Sequence, residues 1–194
     1  MADDWPIVAL VASSGGIDAL KRVLTPIPAG LRACVLVLLH IPPDRESLLP
    51  EILGRATVLE VDTARDGDRL QPGRVLVAPS GSHVLVTPAL EIALIESGPF
   101  PPSRPSADLL LTTLAIAAGK RAVAVVLSGQ GRDGATGATA IHRFGGTVLA
   151  TDAATSQHFS MPQEAIHRHN AVDHVVALDD LSVLLAQIAT TPTL

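Results

Sequence analysis

The chain has 194 residues, 47% of them hydrophobic, yet only Trp5, Phe100, Phe144 and Phe159 are aromatic and there is no tyrosine. Its core must therefore be aliphatic, and a chain of this length buries roughly 70% of the surface its unfolded form exposes, so we expect one domain over residues 1–194 that needs neither disulfides nor a structural metal. The net charge of −5, the absence of a basic stripe and the shortage of stacking rings exclude nucleic acid as an expected partner.

The acidic opening Met-Ala-Asp-Asp-Trp-Pro has no basic n-region followed by an apolar h-region, and no apolar run approaches the roughly 20 residues that span a bilayer. We expect a cytoplasmic protein without direct membrane insertion. Cys34 is the single cysteine; inside Cys-Val-Leu-Val-Leu-Leu it reads as a small buried hydrophobe.

Short Val/Leu/Ile/Ala runs without polar alternation at Ile7–Ala12, Cys34–Leu39, Ala122–Leu127 and Val148–Ala150 predict strands buried on both faces of a parallel sheet. Between and after them, Ile17–Leu24, Glu46–Arg55, Ala107–Ala118, Ala135–Phe144, Gln163–His169 and Leu181–Ala189 predict helices. The expected class is α/β, three-layered, with a mostly parallel doubly wound sheet. In the middle, Arg74–Ala78, Val84–Thr87 and Glu91–Ile95 are strand-like with no room for helices between them, and predict a short antiparallel edge or insert. Gly98–Ser106, with four prolines in nine residues, predicts an extended loop.

In open parallel sheets ligands bind beyond the carboxyl ends of the strands, so the residues that follow each strand are the candidates. The first strand is followed by Ser13-Ser14-Gly15-Gly16 and a helix, which places a hydroxyl where backbone N–H groups and the helix dipole point outward. A nucleophilic serine fits there; so does a plain helix N-cap. The second strand ends in His40, either a general base or a structural histidine.

The third candidate strand runs into Ser128-Gly-Gln-Gly-Arg-Asp-Gly134. Gly129-x-Gly131-x-x-Gly134, with Asp152 at the end of the next strand, matches the dinucleotide fingerprint. Against this, Asp133 puts a carboxylate where a pyrophosphate would lie, and the same carboxylate can orient a histidine or cap its own helix. Ser, His and Asp at three ends of one sheet edge favour a Ser–His–Asp hydrolase, with a nucleotide-binding module as the competing reading. His167-x-His169 does not share a helix face, so no metal and no cofactor are expected.

Seven collinear segments carry a resemblance: Ile7–Ala19, His40-Ile-Pro42, Asp66–Gly73, Ala78-Pro79 with His83, Arg104–Asp108, Leu127–Ala135 and Phe159–Ala165. In these the chain resembles the catalytic domain of the CheB-type chemotaxis protein-glutamate methylesterases. The resemblance implies Ser13 as nucleophile, His40 as base and Asp133 as orienting carboxylate, with Ser14, Gly15, Gly16, Gln130 and Gly131 forming the oxyanion and substrate loops. It implies hydrolysis of glutamate methyl esters on chemoreceptors with methanol release, and glutamine deamidation as a second activity. The implied partners are cytoplasmic helices of methyl-accepting chemotaxis proteins; the receiver domain usual in the family does not precede Ile7 in this sequence, so either a stand-alone enzyme with a separate receiver or regulatory protein or a domain cut from a longer polypeptide is expected.

Three positions depart from the family pattern. Gln130 stands for a methionine, Leu39 for a glutamine, and Arg132 for a small polar residue before Asp133. These leave open a fold with impaired catalysis. Arg132 is expected in solvent rather than paired with Asp133.

Overall fold

The computed structural model describes residues 5–42, 47–96 and 103–190. Among them, β1 (Ile7–Ala12), β2 (Cys34–Leu39), β3 (Glu60–Thr63), β4 (Arg74–Val77), β7 (Ala122–Val126), β8 (Thr147–Thr151) and β9 (His174–Val176) form one parallel sheet in the order β3-β4-β2-β1-β7-β8-β9. β5 (Ser82–Val86) and β6 (Ile92–Glu96) pair antiparallel as a separate hairpin, with His83 opposite Ile95.

Every residue of β1, β2 and β7 is buried, which follows from their unbroken aliphatic sequences: a strand with no polar alternation must be covered on both faces. Alternate side chains divide between two cores. Ile7, Ala9, Val11, Leu36, Leu38, Ala124 and Val126 pack under α3 (Ala107–Ala118), α4 (Ala135–Arg143), α5 (Ser160–His167) and the hairpin. Val8, Leu10, Ala12, Val35, Val37, Val123 and Val125 pack under α1 (Gly16–Leu24), α2 (Leu49–Gly54) and α6 (Leu181–Thr190). Of the Trp and Phe rings in described residues only Trp5 is buried; Phe144 is 51% exposed. The three-layer α/β expectation holds, and the core is aliphatic.

The structure corrects the sequence reading at several places. Arg74–Val77 belongs to the parallel sheet between β2 and β3, not to the antiparallel insert; its three buried residues mark it as an interior strand. The edge strands β3 and β9, mostly solvent-facing and only four and three residues long, are additional. α5 starts at Ser160 because Pro162 is tolerated in a first turn, and it ends at His167, leaving His169 outside in a left-handed conformation (φ 54°). The start of the predicted helix Glu46–Arg55 and most of the predicted Gly98–Ser106 loop, with Phe100, lie outside the described residues.

β1 leads outward to β2, whereas β7, on its other side, leads to β8, so the chain changes direction between β1 and β7. That switch point leaves a crevice at the carboxyl ends of these strands.

Candidate functional site

The sheet register sets the site. Ala12 is the last β1 residue paired with β2, opposite Leu39, so Ser13 and His40 each follow by one residue on strands about 4.8 Å apart. The register is pinned at this level: the His40 N–H donates to the Ala12 carbonyl at 3.1 Å, and the Ser13 N–H donates to the Ser128 carbonyl at 3.0 Å. The Ser128 hydroxyl adds a buried tie, donating to the Ser14 carbonyl at 2.8 Å and accepting the His158 N–H at 3.0 Å.

Ser13 is not a helix cap. The cap position of α1 belongs to Gly15, in the left-handed region at φ 75°, and no side chain caps the helix. Glycine is the residue that takes this turn without strain, and the Ser13 hydroxyl stays free of the capping role open to it in the sequence.

His40 Nε2 lies 2.8 Å from Asp133 Oδ2, with only 13% and 8% of the two side chains exposed. Asp133 receives three further donors: the Ala107 N–H on Oδ2 at 2.6 Å, and the Asp108 N–H at 3.0 Å and Ser106 hydroxyl at 3.1 Å on Oδ1. Asp133 thus caps α3, not the helix it precedes. Burial works to raise its carboxyl pKa, but the His40 hydrogen bond and the N–H groups of Asp108 and Ala107 outweigh burial and hold it below the usual carboxylate range. The result is a fixed negative charge against one nitrogen of an imidazole. Its other nitrogen, Nδ1, has no hydrogen bond among the described residues.

Two cavities meet at this point. One, about 340 Å³, is lined by Ser13, His40, Ile41, Pro42, Ser103, Arg104 and Gln130. The other, about 600 Å³, lies on the α1 side; besides Ser13 and His40 it takes in Ser14, Gly15, Gly16, Ile17, Lys21 and Leu39. The N–H groups of Ser14 and Gln130, which line these cavities with Ser13, find no acceptor among the described residues. Of the predicted loop residues only Gly131, exposed at φ 94°, lines neither cavity. The guanidinium of Arg132 is in solvent, 82% exposed and 3.9 Å from Glu164, clear of Asp133.

The dinucleotide reading fails on geometry. The N–H groups at the start of α4, where a pyrophosphate would dock, are already taken: Gly134 and Gly137 both donate to Asp108 Oδ1, at 2.9 and 2.8 Å. The carboxylate of Asp152 is held in a local turn by the Thr155 N–H and hydroxyl. Cys34 is fully buried, its thiol pushed up to about 11 chiefly by burial, and it stands at the far end of β2 from His40.

Sequence reasoning about single residues missed Ser106 and Asp108, which hold Asp133 from the start of α3, and His83 on β5, which accepts the Ser106 N–H. Their only signal was membership in the Arg104–Asp108 and Ala78–His83 segments.

The CheB methylesterase family model matches residues 8–185. A protein-glutamate methylesterase/protein-glutamine glutaminase of Myxococcus xanthus is 41% identical over 94% of this chain and 54% of its own length; one from Pseudomonas aeruginosa is 39% identical over 94% and 53%. The chain therefore spans about half the length of these curated relatives. The crystal structure of the Thermotoga maritima CheB methylesterase catalytic domain superposes with a TM-score of 0.89 at 29% identity, covering 95% of this chain and 98% of that one. The resemblance carried by seven short segments is thus matched along the whole described sheet, and the chain belongs to the CheB methylesterase family.

Proposed function

We propose that this chain is a serine hydrolase of glutamyl methyl esters in proteins, with Ser13 as nucleophile, His40 as general base and Asp133 as the charge that orients it. The single observation that carries the reading is the 2.8 Å contact of His40 Nε2 with a buried, ionised Asp133, beside a cavity that Ser13 and His40 line together.

Asp133 holds the proton on Nε2, which leaves Nδ1, without a hydrogen bond among the described residues, as the nitrogen to take the proton of Ser13 across the cavity that both line. As Ser13 Oγ attacks the ester carbonyl, His40 takes the hydroxyl proton, and Asp133 stabilises the imidazolium without becoming protonated. The N–H groups of Ser14 and Gln130 receive the oxyanion. Collapse expels methoxide, which leaves as methanol with the proton from His40. Water, deprotonated by His40, then attacks the acyl-serine and releases the glutamate side chain. With a glutamine carboxamide the same steps release ammonia, the second activity named in the relatives.

The substrate-bearing partner fits a helix of a methyl-accepting receptor. The larger cavity offers one exposed apolar side chain, Ile17 at 43%, among polar lining that carries both signs of charge, Lys21 and Asp18, for polar neighbours on the helix. With no exposed aromatic anchor in the cavity, the encounter is polar and short-lived. Receptor cytoplasmic fragments carrying labelled glutamyl methyl esters test the reading: wild type releases methanol, and His40→Gln lowers kcat by about 10⁴-fold or more with little change in KM. Undiminished release by His40→Gln refutes it.

A further inference from the structure

His83 stands on β5, outside both cavities and only 2% exposed. A buried imidazole costs desolvation unless its polar atoms are matched. Here Nδ1 accepts the backbone N–H of Ser106 at 2.9 Å, which requires a neutral ring with no proton on Nδ1. Ser106 is the N-cap of α3. Its hydroxyl, together with the next two N–H groups of the chain, carries Asp133.

We propose that His83 is a positioning residue for the site. By holding the Ser106 N–H it fixes the first turn of α3, and that turn fixes Asp133 against His40. This rests on the hydrolase reading above. The hairpin does not need His83 in order to dock, because the Val86 N–H already donates to the Thr113 hydroxyl of α3 at 3.1 Å and Val84, Val86 and Ile92 pack in the same core as α3. What His83 adds is a fixed acceptor at the one N–H that sets where the cap begins. Rate depends steeply on such placement, since a displacement of about 1 Å costs on the order of 10²-fold.

His83→Leu removes the acceptor, whereas His83→Asn keeps a carbonyl oxygen in its place. Each is measured for kcat and KM on the methyl ester, for thermal unfolding, and for the low-field proton NMR signal of the His40–Asp133 hydrogen bond. His83→Leu is expected to lose about 10²-fold in kcat with KM within about threefold, and to shift or lose the low-field signal, while His83→Asn retains most of both. A folded His83→Leu with wild-type kcat and signal overturns the inference; so does a folded His83→Asn that has lost them, which decides the matter even if the leucine variant does not fold. Should wild type release no methanol and fail to label at Ser13 with a fluorophosphonate, the hydrolase reading falls by itself. The NMR comparison then still reports whether His83 positions Asp133.

Discussion

Asp133 and Asp108 cap each other's helices. Asp133, in the loop before α4, takes the first N–H groups of α3, and Asp108, in the first turn of α3, takes the N–H groups of Gly134 and Gly137 at the start of α4. Each carboxylate sits at a helix end carrying partial positive charge. Their environments separate them: Asp133, bonded to His40, is held below the usual carboxylate range, whereas for Asp108 burial first, joined by the Asp133 charge, outweighs the lowering N–H bonds of Gly137 and Gly134 and leaves it above that range. The exchange locks the loop after β7 to the helix that follows the hairpin, and so fixes the carboxylate that faces His40.

Replacing Asp108 separates its hydrogen bonds from its charge. Asp108→Ala leaves two N–H groups of α4 without their acceptor and is expected to cost about 1–3 kcal/mol in urea unfolding at pH 7. Asp108→Asn keeps an acceptor oxygen and removes a desolvated charge, so it stays within about 1 kcal/mol of wild type. Because the folded pKa of Asp108 is raised, ionising it costs stability as pH climbs above about 4. The asparagine variant therefore improves relative to wild type between pH 4 and 7, and a flat difference would contradict this assignment.

Asp133 acts with the opposite sign. Its folded carboxyl lies below the unfolded value of about 3.9, so its stabilisation is present above about pH 4 and is lost as pH falls toward the depressed value. Unfolding curves collected from pH 6 down to 3 should lose stability more steeply for wild type than for Asp133→Asn, which is the less stable protein at pH 6. Parallel curves would show that Asp133 is not held ionised.

Gly129 is hemmed in at the floor of the site. A β-carbon there would stand 2.6 Å from Met161 Sδ and 3.0 Å from Ser13 Cβ. Met161 can shift, but Ser13 sits on a pinned backbone, so Gly129→Ala is expected to lower kcat at least tenfold while costing about 1–3 kcal/mol by overpacking. Kinetics and thermal unfolding on one preparation check both; unchanged kcat would place Ser13 farther from this loop.

The sequence made the sheet centre legible because β1, β2 and β7 are unbroken aliphatic runs, a signal that depends on no distant residue. β3 and β9 were not legible: three or four half-exposed residues at a sheet edge carry too little periodicity. Arg74–Val77 was misplaced because it is followed closely by a hairpin, and nothing local says that it slides between β2 and β3. Ser13, His40 and Asp133 were readable as strand-end residues. That Asp133 caps α3 was not, since its donors come from 25 to 27 positions away in sequence, and His83 was hidden likewise, 23 positions from the Ser106 N–H it accepts.

The most direct measurement is methanol release from glutamyl methyl ester receptor fragments by wild type and by Ser13→Ala, side by side. Single-turnover mass spectrometry of the wild type is added to look for an acyl group on Ser13. A Ser13 nucleophile predicts release by wild type through an acylated Ser13 peptide, and a fall of roughly 10⁴-fold or more in Ser13→Ala. Equal release from both proteins, or an acyl group found on any other residue, would contradict it.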